Sequence, residues 1–82
     1  MELKDTTALM CSEDYKERFL AEYHQVGIRY QKLQAMVDKW DNGTLEFIPT
    51  CPRPTYDFQL KAMREYLGIL IIRAKIEGID LN

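Results

Sequence analysis

From Tyr15 onward, apolar side chains return every three or four residues: Tyr15, Phe19, Tyr23, Val26, Tyr30, Leu33, Val37 and Trp40. That rhythm lays them along one stripe of an α-helix and predicts a helix over 12–40. Ser12 is the expected N-cap, and Glu13 and Asp14 suit the positive end of the helix dipole. Asp41-Asn42-Gly43 is the expected stop, because Asn and Gly accept the left-handed conformation that ends helices. The following stretch to residue 54 holds three prolines, which forbid helix and favour an extended path. It predicts an ordered connector over 41–54, with Leu45, Phe47 and Ile48 tucked against the end of the helices. Thr55 is the expected cap of a second helix over 55–77, and Gly78-Ile79 reads as a Schellman-type stop with a hydrophobic latch. Residues 1–11 form a lead with a short helix expected near 7–10, and residues 78–82 form a tail.

The second helix is apolar on two sides. Tyr56, Leu60, Met63, Leu67, Leu70, Ile71 and Ala74 share one face, which matches the stripe of the first helix. Phe58, Ala62, Ile69, Ile72 and Ile76 fall nearly opposite. One partner helix covers only one side. The second patch therefore predicts either an interface with further copies of the chain or a cover made by the lead and connector, and self-association is the favoured reading. The expected architecture is all-α, an antiparallel two-helix hairpin with a short N-terminal segment, homo-oligomeric.

Length sharpens that expectation. A chain of 82 residues makes one domain and buries a limited share of its surface, so an isolated hairpin would be marginal. The composition, 46% hydrophobic and 29% charged, excludes the low-hydrophobicity signature of disorder. A net charge of -2 gives no basic field to hold duplex nucleic acid. The start of the chain has no basic stretch followed by an apolar run, and Ile69-Leu70-Ile71-Ile72 is too short to span a bilayer. A cytoplasmic protein without membrane partners is expected. Cys11 and Cys51 would lie about 40 Å apart at opposite hairpin ends, so both should be free thiols.

No residue set points to catalysis. His24, the only histidine, is expected about 180° from the first helix's stripe, and no Ser, Cys or carboxylate pair is spaced to work with it. The four glycines are too scattered for a phosphate loop, and no metal cluster or cofactor motif is present. Gly27 and Gly68 inside helices are expected to mark a close approach of the two. The strongest candidate for binding is Arg53-Pro54-Thr55-Tyr56, where a helix N-terminus, a hydroxyl, a guanidinium and an aromatic ring converge. That set favours an anion attached to a flat group. Lys61 and Arg64, with Tyr23, Arg29 or Tyr30 of another protomer, would complete the pocket. A capped helix start with a surface Arg remains the plain alternative.

The segments Tyr15-Lys16-Glu17-Arg18-Phe19-Leu20-Ala21-Glu22-Tyr23, Lys39-Trp40-Asp41-Asn42-Gly43, Cys51-Pro52-Arg53, Gln59-Leu60-Lys61-Ala62-Met63 and 73–81 occur in an order that resembles a family of small phage and prophage proteins from crAss-like phages. The likeness covers Tyr15 to Leu81. It implies a phage origin and a helical hairpin. By size and architecture alone the chain is also similar to anti-CBASS and anti-Thoeris sponges, which hold nucleotide immune signals without cleaving them. Two functions follow as expectations: a homo-oligomeric nucleotide sponge, or an adaptor or inhibitor that docks its apolar face on another protein.

Overall fold

The computed structural model describes all 82 residues, and every regular element is helical. A 3₁₀ turn, Leu3–Thr6, leads into a one-turn helix α1, Thr7–Met10; two long helices follow, α2 at Tyr15–Asp41 and α3 at Arg53–Glu77. The fold is thus all-α with three helices, and the two-helix hairpin expected from the sequence is only its larger part.

The starts of both long helices differ from expectation. Asp14, not Ser12, caps α2, its carboxylate accepting from the Lys16 N–H at 2.9 Å. Ser12 acts one step earlier, its Oγ accepting from the Asp14 N–H at 3.0 Å, and so shapes the approach to the cap. α3 starts at Arg53, with Pro52 at the cap position and a proline early in the first turn. Pro suits the first turn because the N–H it lacks would have no intrahelical partner there. Thr55 therefore sits inside the helix and is no cap, its N–H bonded to the Pro52 carbonyl at 3.0 Å. The C-terminal stop is as the sequence predicts. Gly78 takes a left-handed φ of 70°, the Ile79 N–H reaches the Ala74 carbonyl at 2.8 Å, and Ile79 is buried as the latch.

The hairpin core is small. Phe19, Leu70, Ala74 and Ile79 form its buried centre, with Leu20, Tyr23, Val26 and Leu81 packed around them. Val37 and Leu60 are buried further along. Only 8 of the 82 residues are fully buried, and much of the rest of the seam is half-buried.

The lead makes the third layer. Ala21 lies 200° around α2 from Phe19, yet both are 2% exposed, because α3 covers one side of α2 and the lead covers the other. Thr6 is buried there and its Oγ1 accepts from Gln25 Nε2 at 2.9 Å. The 3₁₀ turn and α1 pack on α2 and not on α3, and the second apolar patch stays uncovered. Phe58, Ile69, Ile72 and Ile76 stay exposed, Ile76 at 80%, and Ala62 is exposed beside them. The connector leaves the patch open as well. Of the three apolar residues expected to tuck in, only Leu45 is half-buried, whereas Phe47 is exposed and Ile48 is 94% exposed. Ile71, assigned by periodicity to the core face, is exposed at its margin.

The glycines are not explained by close approach. A Cβ on Gly27 would meet Leu67 Cδ2 at an ordinary 4.0 Å, and one on Gly68 would meet nothing.

Candidate functional site

Two concavities open along the seam between α2 and α3. The first, of about 420 Å³, is walled by Gln34, Val37 and Asp41 of α2 and by Arg53, Asp57, Phe58, Leu60, Lys61 and Arg64 of α3. Three of the expected ligand residues, Arg53, Lys61 and Arg64, are brought together here.

Their charges are not equally free. Arg53 Nε and Nη2 donate to the two Asp41 carboxylate oxygens at 3.0 and 2.9 Å, and Nη1 donates to Asp57 at 2.7 Å. Its guanidinium also lies 5.8 Å from the Trp40 ring centroid. The hydrogen bonds that Arg53 donates to Asp41 and Asp57 hold it above its ordinary pKa, and the same donation holds the Asp41 carboxyl below the usual carboxylate range. A cation shared by two carboxylates is a poor anion receptor. The guanidinium at the centre of the expected site is thus already engaged within the chain. The helix start is a poor receptor too, since Pro54 has no N–H and the Thr55 N–H is already bonded. Lys61 keeps only a long, exposed contact of 3.7 Å to Glu65, a pair of little energetic weight. Arg64 has no carboxylate within salt-bridge distance among the ion pairs of the chain, and it is the free cation of this wall.

Tyr56 points elsewhere. Its ring meets Trp40 edge-on at 5.8 Å, closing the hairpin end. The neighbouring Cys51 holds its phenol above the ordinary pKa. Thr55 is exposed outside both concavities, as is Arg29. Both cysteines are free and exposed.

The second concavity, of about 520 Å³, contains Tyr23 and Tyr30 together with His24, Gly27, Ile28 and Gln31 of α2, Leu67 and Ile71 of α3, and Met1 and Leu81. His24 is half-buried with its ring edge-on to Tyr23 at 5.4 Å, so it belongs to the margin of the seam and not to the far side of α2. Periodicity alone missed this, because His24 and Gln31 are polar; their spacing with Gly27 and Gln34 at three and four residues marks one helix edge.

A helical hairpin strapped by its N-terminal turns, with a cleft along its seam and an uncovered apolar ridge on α3, has the architecture of a small binding protein. The chain belongs to the Sequestin family, whose model matches residues 13–76, the two long helices without the lead. No curated protein and no solved structure matches it.

Proposed function

We propose that this protein is a phage anti-defence sponge. It binds a nucleotide immune second messenger, of the cyclic oligonucleotide or cyclic ADP-ribose type, and keeps it from its receptor without cleaving it. The family's name denotes sequestration, and the observation that carries the nucleotide reading is the pairing of an unneutralised Arg64, beside Lys61, with an aromatic and apolar cleft on the same seam. Cations with aromatic faces are the ordinary means of holding a phosphate attached to a base. Arg53 shapes the wall of this site through its carboxylates instead of touching the ligand. Self-association through Phe58, Ala62, Ile69, Ile72 and Ile76 would let Arg29 of a second copy contribute to the clefts. In this reading the protein works in the host cytosol with no cofactor and no duplex nucleic acid.

The test is mass spectrometry of small molecules released on denaturing the purified protein, followed by calorimetry against cyclic dinucleotides, cyclic trinucleotides and cyclic ADP-ribose variants. Recovery of an intact nucleotide is the expected result. If none co-purifies and none binds, the reading gives way to a second one, favoured by the exposed ridge on α3: an adaptor or inhibitor that docks on a host protein.

A further inference from the structure

The two concavities occupy successive turns of one side of the hairpin. On α2 the residues His24, Gly27, Gln31 and Gln34 follow each other at three and four positions; on α3 Lys61, Arg64, Leu67 and Ile71 do the same. Gly27 faces Leu67 across the seam, so in an antiparallel pair Gln31 and Gln34 progress toward Arg64 and Lys61. Three residues of helix advance about 4.5 Å, so the apolar end of the furrow and its cationic end are one turn apart. That step is comparable with the span of the ribose between a base and its 5′-phosphate.

We infer that this furrow is a nucleoside-phosphate site within a single chain: the His24–Gly27–Gln31 edge and the Leu67–Ile71 wall take the base, and Arg64 takes the phosphate. This rests on the nucleotide reading above and assigns it a base pocket that does not require a second protomer. The chemistry of the walls selects a flat heterocycle. Leu67 and Ile71 offer apolar contact to a ring face, Tyr23 and Tyr30 add aromatic rings, and the polar atoms lie at the rim. Gln25 and Gln34 are tied to Thr6 and Asp38, whereas the His24 ring and the Gln31 amide have no such tie, and together they present both donor and acceptor groups to a base edge. Gly27 gains a reason here. A helical glycine costs about 1 kcal/mol relative to alanine, no helix contact requires it, and its missing side chain keeps the base pocket open between Leu67 and Gln31.

Amide-resolved NMR titration of the full chain with AMP, GMP, CMP and ribose 5-phosphate tests the assignment. At least one nucleotide should shift His24, Gly27, Gln31 and Arg64 together, whereas ribose 5-phosphate should shift Arg64 and leave the base pocket unmoved. Gln31→Ala and His24→Ala should each weaken the bound nucleotide about tenfold, a hydrogen-bond loss, without lowering the melting temperature. Gly27→Leu should abolish nucleotide binding while sparing ribose 5-phosphate. If a nucleotide binds but its shifts lie outside the furrow, or all three variants hold it within twofold of the parent, the furrow assignment is overturned and sequestration still stands. If no nucleotide binds and none co-purifies, both fail.

Discussion

Arg53 and Asp41 close the hairpin with two parallel hydrogen bonds, Nε to Oδ1 at 3.0 Å and Nη2 to Oδ2 at 2.9 Å, across an 11-residue connector. The pair ties the last residue of α2 to the first of α3 and rests against Trp40. Because Arg53 holds the Asp41 carboxyl below its usual 3.8, the stabilisation is present above that unfolded value and disappears as pH falls through the lower, folded one. Arg53→Ala should lower the melting temperature most at neutral pH, and the gap to the parent should close in the acid range. A pH series of thermal melts reads this; a gap that is constant from pH 7 to pH 2 would remove the pair from the account.

The other end of the hairpin carries an alkaline counterpart. The Tyr15 hydroxyl donates to Glu77 Oε1 at 2.6 Å and accepts from Arg73 Nη2 at 3.0 Å, and Arg73 lies over the Phe19 ring at 5.0 Å. The Glu77 bond, first among the causes, raises the Tyr15 pKa. Its stabilising effect is complete below the ordinary phenol value of 10.0 and is lost as pH rises through the raised one. Tyr15→Phe should reduce stability at pH 7 and flatten the decline above pH 10. Phenolate absorbance across the titration follows the residue, since the variant should lose one of the late-ionising tyrosines, Tyr15 and Tyr56, that the parent shows.

Leu70 is 0% exposed at the centre of the core. Leu70→Ala should cost about 2–5 kcal/mol, a large part of the stability of so small a domain, whereas Leu70→Met should cost less than about 1.5 kcal/mol. Urea titrations followed by helix ellipticity compare the two, and equal midpoints for both variants would contradict a tightly packed centre.

Ile69 and Ile72 are more than half exposed in the protomer, so Ile69→Lys and Ile72→Lys should leave its fold intact. Buried in an assembly, the same lysines would be unpaired charges. Light scattering should show the variants at or near the 9.7 kDa protomer mass and the parent at a multiple of it. A parent that is itself monomeric at high concentration would rule out the self-association proposed here.

The spacing of apolar residues determined the two long helices, and the Gly78-Ile79 stop was legible because left-handed glycine with a hydrophobic latch is a local device. Local chemistry also placed the turns around Asn42 and the prolines, within a few residues of where the helices end and begin. The burial of Ala21 was not legible. An alanine carries too little apolar surface to stand out in a pattern, and its 2% exposure depends on the lead folding back to seat Thr6 beside Gln25. The fate of Arg53 was equally hidden, because Asp41 lies 12 positions away and reaches it only once the hairpin closes. Periodicity assigns each helix its faces one chain segment at a time. Which cation remains free, which polar edge lines a cleft, and which apolar ridge stays bare follow from the pairing of segments distant in sequence, and only the tertiary structure decided them.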